Sequence, residues 1–402
     1  MNTTSVAVAG ERVVRRRMSV VLAGMAIFLM WAALFVYTPI LPVYARNRGA
    51  SLEFVGLITA SYGLTQCLLR IPLGVVSDRI GRRKPFVMAG ILVIGLSCLV
   101  LAWAPSPIWL LVGRGLAGVG ISCWVAASVL FASYFPPDQT VRAASVATFL
   151  SAAAQMVVTA LGGRLADMTN WLVPFYVGAA TAGVGALALA TVPDETVARR
   201  DPSTWQTLRR VSGRRLLLVA SAIAAVGQWM QHTTTYTFVS VYASTALKAS
   251  ATELGALVTC TLAPFTVGTF TAAEVARRIG ARRTLILGLV LAGVATAAVP
   301  LTPSFLALGI ARAVYGLGYG LVYPVAMGLS IRGVPGEERG SAMGVFQALY
   351  AIGMVVGPAT GGWLAAGVGL AGMFWLLGAL SLATALAVIV LSRCAAGWVA
   401  AR

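Results

Sequence analysis

The only histidine, His232, lies in the middle of an apolar run, within Gln228-Trp229-Met230-Gln231-His232-Thr233. An unperturbed imidazole titrates at about 6.5, which suits it to carry a proton at physiological pH. Gln228 stands one helical turn earlier, so the stretch could instead hold a neutral ring bonded to that residue or to nearby hydroxyls. Two arginines, Arg114 and Arg312, sit well inside other apolar runs, where a fixed cation either attracts an anion or is held by carbonyls and amides. Gln66, Arg70, Gln155 and Gln347 are embedded in the same way. Such groups are costly in hydrocarbon and face a cavity or one another, so they mark a candidate path for substrate or protons, although amides also join helices. Trp31, Tyr37, Trp124, Trp229, Tyr236, Tyr315 and Tyr350 could line a cavity for amphipathic molecules or simply pack.

Other chemistries find little support. No nucleophile, base and oxyanion set can be assembled, which argues against an enzyme. The glycine strings at 113–120 and 316–320 imitate a dinucleotide fingerprint, but no strand precedes them and close helix packing explains them better. There is no P-loop, so ATP is not the expected energy source. Cys67, Cys98, Cys123, Cys260 and Cys394 lack paired spacing and read as small hydrophobes, so no metal, disulfide or other cofactor is expected.

Composition sets the elements that must position these residues. Of 402 residues, 59% are hydrophobic and 10% charged, with a mean hydropathy of +0.86. Soluble domains hold roughly 45–50% and 25%, so a soluble fold is excluded. Apolar runs between charged or Pro/Gly breaks give twelve spans: 18–43, 53–73, 85–104, 108–133, 143–163, 172–192, 215–243, 252–273, 284–302, 304–331, 340–365 and 371–392. The first is not read as a signal peptide, because no small-residue cleavage site follows it. Residues 1–17 and 393–402 are expected to be cytoplasmic tails, the first of them mobile.

The net charge of +18 follows the loops. Both termini and every second loop carry 23 of the 30 basic residues, the opposite loops carry 4, and 3 lie within spans. This bias puts both termini in the cytoplasm and removes the case for a nucleic-acid partner. None of the twelve acids falls at the midplane.

The two halves repeat. Arg79-Ile80-Gly81 recurs as Arg278-Ile279-Gly280, and Gly162-Gly163 as Gly361-Gly362, each 199 residues on; Arg114, Gly118 and Gly120 recur as Arg312, Gly316 and Gly318, 198 residues on. The expected organisation is all-α: a six-helix bundle over 18–192, a charged cytoplasmic linker over 193–214 and a second bundle over 215–392. A parallel six-plus-six repeat marks a secondary transporter with its site between the halves.

The segment Gly74-Val75-Val76-Ser77-Asp78-Arg79-Ile80-Gly81-Arg82-Arg83-Lys84-Pro85 resembles the signature loop of the major facilitator superfamily, and falls between spans two and three as it does there. Arg114 with Gly118 and Gly120 resembles a second signature, found in proton-coupled members. The resemblance covers the whole chain and points to drug:proton antiporter-type relatives. It implies a gating latch, with Asp78 near the start of span eleven, Arg82 paired with Asp138, and Gly74, Arg79, Gly81 and Arg83 shaping the loop. Three departures stand out. Arg277 replaces the aspartate in the second copy of the loop. Span five lacks the Gly-Pro of the antiporter signature, and the string Gly353-x-x-x-Gly357-Pro358-x-x-Gly361-Gly362 occupies span eleven instead. These leave the direction of transport open.

The expectation is secondary active transport of a small organic solute by alternating access, as proton-coupled efflux of drug-like or amphipathic compounds. Alternatives are an organic-anion importer or exchanger, a facilitated-diffusion carrier, and a transport-inactive sensor or lipid-handling protein. The path residues are Arg114, His232, Gln228, Gln231, Gln66, Gln155, Arg312 and Gln347. The compact chain and arginine-rich composition suggest the lipid bilayer of a bacterial inner membrane, and a monomer is expected there.

Overall fold

The computed structural model describes residues 3–136, 139–194, 205–335 and 338–394. Its regular elements are helices: α1 Thr3–Phe35, α2 Leu41–Asn47, α3 Leu52–Ile80, α4 Lys84–Ala102, α5 Pro107–Ile121, α6 Trp124–Ser133, α7 Thr140–Met168, α8 Val173–Ala190, α9 Trp205–Ser212, α10 Arg215–Met230, α11 Val239–Ala246, α12 Ala251–Ile279, α13 Ala281–Ala298, α14 Phe305–Ser330 and α15 Arg339–Cys394. A π-helical segment, Gln231–Phe238, joins α10 to α11.

Among the described residues, ten helices are long and apolar enough to cross a membrane. Two irregularities reconcile that number with twelve spans. Gly369, at φ +75°, divides α15 into two arms that correspond to spans eleven and twelve. Span seven is broken into α10, the π segment and α11, so no single piece of it is long enough.

Caps recur at the repeat spacing. Ser51 accepts a hydrogen bond from the Phe54 amide at 3.2 Å and starts α3. Ser250, 199 residues on, starts α12 in a reciprocal capping box with Glu253. At the other ends of these helices stand Gly81 (φ +70°) and Gly280 (φ +87°), in a left-handed region that glycine enters without steric cost. The loop glycines of both repeats are therefore backbone requirements.

Several local details differ from expectation. Helical backbone begins at Thr3, inside the stretch read as a tail. Span one does not run unbroken to residue 43: its helix stops at Phe35 and resumes at Leu41. Pro39 explains the stop, since its ring would clash with the carbonyl of Phe35 and it has no N–H to donate. Thr38 compensates, donating its hydroxyl to Leu34 O at 2.8 Å. Span seven is interrupted at the corresponding place in the second half. There Thr237 donates its hydroxyl to His232 O at 2.7 Å, absorbing a carbonyl in the widened turn. Within the linker, α9 packs Val211 against Leu217, Val334 and Ala342 of the second half.

Two seams join the halves. In one, α3 lies along the first arm of α15; in the other, α7 lies along α12. Small residues allow the approach. A side chain at Gly56 would strike the Pro358 carbonyl, one at Gly163 the Ala251 carbonyl, and one at Gly255 the Thr159 carbonyl. The Gly353, Gly357 and Gly361 stripe faces α10 and the π segment, meeting Ala225, Trp229 and Thr233. In this state the antiporter-like string of span eleven is a packing surface.

Candidate functional site

Arg114, on α5, points into the first half and is 4% exposed. Its Nη1 donates to the Tyr37 hydroxyl at 3.0 Å, and its guanidinium lies 4.3 Å from the centre of the Tyr62 ring. Tyr37 belongs to the break that Pro39 creates in span one, so the arginine pins the interrupted backbone. Arg312, on α14, is fully buried. Its Nη2 donates to Thr235 Oγ1 at 2.5 Å, its Nε to Thr261 Oγ1 at 3.3 Å, and its guanidinium lies 4.1 Å from the centre of the Tyr315 ring. Thr235 lies in the π segment, so this arginine too pins a break.

The two centres map onto each other by the repeat. Arg114 and Arg312, and likewise Tyr37 and Thr235, stand 198 residues apart, and Tyr62 and Thr261 stand 199 apart. Thr235, Thr261 and Tyr62 were not singled out from the sequence. Applying the repeat offset to Tyr37 would have found Thr235.

His232 is buried at the start of the π segment, with Nδ1 3.1 Å from the Gln228 carbonyl. Its ring meets Tyr236 edge-on at 5.3 Å, and Tyr236 meets Phe35 of the other half at 5.6 Å. Trp31 continues this wall, 5.8 Å from Phe35 and 5.3 Å from Trp124. A second aromatic row, Tyr315, Tyr319, Tyr323 and Tyr350, runs from α14 to α15.

The expected glutamines divide. Gln231 is buried and accepts from Thr235 at 3.3 Å. Gln66 is buried beside Tyr62. Gln347 accepts from Arg70 Nη1 at 3.4 Å across the seam between halves. Gln155 donates back to Ser151 O of its own helix at 3.2 Å, and Gln228 contributes its carbonyl to His232.

In the loop after α3, Arg82 pairs with Asp194 at 2.8 Å, at the end of its own half. Lys84 donates to the Ala190 carbonyl at 2.8 Å and also to that of Val192. The linker entrance thus supplies acceptors for these cations, and Arg83 is buried beside them. Asp138 lies outside the described residues, as do the side chains of Asp78 and Arg79; Gly74 packs loosely, with Val125 3.8 Å from an added Cβ.

The bundle is sealed at the end away from this basic loop. Asp167, at the end of α7, accepts from the Ala251 and Thr252 amides at 3.0 and 2.6 Å, across the seam at the start of α12. An anion there meets unpaired amides and a favourable helix dipole. Thr159 and Thr259 hydroxyls touch at 3.4 Å further along the same seam. The other seam stays closed from Gly56 through Gly63 to the Arg70–Gln347 contact. Beyond that point an added side chain at Gly344 would meet open space. Phe149 on α7 and Phe270 on α12 are 64% and 76% exposed.

Among the described residues the carboxylates keep to the ends. Glu53 and Glu253 lie in first turns, Asp167 in the sealed seam, Glu274 against Arg277 and Arg278, Asp194 against Arg82, and Glu338 against Arg210 and Arg214. Among the described residues none approaches Arg114 or Arg312.

Two six-helix halves, a polar centre between them and one sealed end are the geometry of a carrier. The family model for the Major Facilitator Superfamily matches residues 23–246 and 217–396. The chain belongs to that superfamily. Among Major Facilitator Superfamily relatives, the uncharacterized MFS-type transporter YceJ of Bacillus subtilis is 25% identical over 350 residues, covering 84% of this chain and 86% of that one. A multi-drug resistance efflux pump PmrA homolog of Lactococcus lactis is 26% identical over 362 residues, covering 84% and 88%. The synaptic vesicular amine transporter of Rattus norvegicus is 23% identical over 351 residues, covering 82% and 65%. The superfamily fold is also clear against solved structures. A bacterial homolog of the human lysosomal transporter Spinster, inward-facing and occupied, superposes with a TM-score of 0.79 at 16% identity, covering 93% of this chain and 96% of that one. The nucleoside transporter NupG gives 0.76 at 14% identity, covering 94% and 99%.

Proposed function

We propose that this transporter exports a small amphipathic organic solute in exchange for protons, by alternating access of the two halves to a central site. The observation that carries the reading is the asymmetry of the seams, bonded at the Asp167–α12 end and loosely packed around Gly344 towards the basic end, with the polar and aromatic groups of both halves between. The loop-charge bias puts the basic end in the cytoplasm, which makes the present state inward-open. The sequence likeness to the efflux pump homolog supports export. His232 is our candidate proton carrier, because it is the only histidine and sits between Gln228 and Tyr236 at the site. Arg114, Gln66 and Gln231 complete the proposed path, and Arg312 and Gln347 support it from behind. A cationic amine would find no carboxylate among the described central residues.

The test is flux in proteoliposomes with an imposed pH gradient, using a panel of drug-like amines, neutral compounds and organic acids. Gradient-driven accumulation of one member is expected. Equilibration without accumulation would replace the reading with facilitated diffusion, and counter-anion stimulation without pH dependence would replace it with anion exchange.

A further inference from the structure

We propose that the solute carries a carboxylate or similar monoanionic group, and that Arg114 is the residue that binds it. This rests on the transport reading above and names the substrate class of the same site.

Three observations lead there. Among the described residues Arg114 makes one side-chain hydrogen bond, to a neutral phenol, and its Nε is buried without an acceptor. No carboxylate among the described residues balances its charge. A buried guanidinium left in that condition is costly, and a bidentate anion is the partner its geometry fits best.

Second, the unsatisfied inventory of the interior leans toward donors. The Nε1 atoms of Trp31 and Trp229 and Nε of Arg114 can only donate, and all three are buried without hydrogen-bond partners. The hydroxyls of Thr233 and Tyr319, also buried without partners, can do either. The two orphaned carboxylate oxygens, on Asp194 and Glu338, belong to the basic end. A ligand that completes this interior must bring acceptors.

Third, the two arginine centres differ in a way that separates binding from support. Arg312 is sealed by Thr235, Thr261 and Tyr315, all of its own half. Arg114 stacks on Tyr62 of α3, the helix that packs against α15 and the π segment of the opposite half. An anion held by Arg114 would place its apolar body on the wall of Tyr236, Phe35 and Trp31. Both halves would then grip one molecule, as alternating access requires.

The experiment uses purified full-length protein and three probes of one shape: naphthalene-2-carboxylate, naphthalene-2-carboxamide and 2-naphthylmethylammonium. Isothermal titration of the wild type should rank the carboxylate at least about ten-fold tighter than the amide, with the ammonium weakest, and high salt should narrow the gap. Arg114→Gln should abolish the preference while leaving amide binding in place, and Arg114→Lys should keep part of it. Arg312→Gln should lower the melting temperature but leave the ranking unchanged. Equal binding of carboxylate and amide, a preference for the ammonium, or a preference that survives Arg114→Gln would overturn the assignment. If Arg114→Gln does not fold, the wild-type ranking and Arg114→Lys decide. Flux of the same probes separates the two readings. Movement of the amide or ammonium alone sinks the anion and keeps the transporter; tight carboxylate binding with no flux of any probe does the reverse.

Discussion

Arg312 donates to the Thr235 hydroxyl at 2.5 Å in the same way that Arg114 donates to the Tyr37 hydroxyl at 3.0 Å, with both donors and both acceptors 198 residues apart. One device has been kept in two copies: an arginine from the fourth span of each half fastens the broken part of the first. The chemistry of the acceptors has diverged, and with it the burial. The second copy is closed on itself, and the first faces the seam.

The closed copy makes a stability prediction. Thr235→Val preserves shape but leaves Arg312 Nη2 buried without that acceptor, which should cost about 1–3 kcal/mol. Thermal melting in detergent would read this as a clear drop. Tyr37→Phe should cost less, because Arg114 keeps the Tyr62 ring. A Thr235→Val protein melting with the wild type would show that Arg312 does not depend on the π segment.

The sealed seam makes a conformational one. A leucine at Gly163 would collide with the Ala251 carbonyl, so Gly163→Leu should hold this end open. A cysteine at Thr259, on an otherwise cysteine-free chain, should then label from outside at least about ten-fold faster, equivalent to a shift of about 1.4 kcal/mol between states. Unchanged labelling would mean that the seam tolerates the side chain without opening.

Asp167 contributes at the same place by charge. Asp167→Ala removes the acceptor of two α12 amides and should weaken closure by about 1 kcal/mol, an effect that salt reduces. Asp167→Asn keeps an oxygen acceptor and should lie between. The same labelling assay orders the three proteins, and an Asn variant as impaired as Ala would contradict a capping role.

His232 bears on coupling. His232→Gln retains a hydrogen-bonding side chain but cannot carry a proton, so downhill flux should persist while pH-driven accumulation falls at least about ten-fold, within the range that a lost proton-transfer group produces. Accumulation at the wild-type level would reduce His232 to a structural residue bonded to Gln228.

The large-scale organisation was legible because it follows from solvent and sterics. Hydrocarbon demands long apolar helices, and a duplicated chain repeats its caps, so Ser51 and Ser250 or Gly81 and Gly280 announce themselves. The break at Pro39 was written in the sequence but hidden inside a continuous apolar run. The π segment at 231–238 has no periodicity of its own, and only the carbonyl taken up by Thr237 betrays it. Arg114, Arg312 and His232 stood out as polar groups in apolar runs, whereas Thr235 and Thr261 did not, since a buried threonine is cheap and common. The Arg82–Asp194 pair was not legible either, because a loop cation takes the acceptor that the current state offers.

Alternating access requires the sealed end to open once per cycle, and the touching hydroxyls of Thr159 and Thr259 allow that to be tested directly. Cysteines at both positions, with the five native cysteines replaced, should form a disulfide across α7 and α12. Flux of the solute identified by the pH-gradient panel should fall below about a tenth on oxidation, a deficit of at least about 1.4 kcal/mol, and recover on reduction. Full-rate flux through completely cross-linked protein would contradict alternating access about this seam.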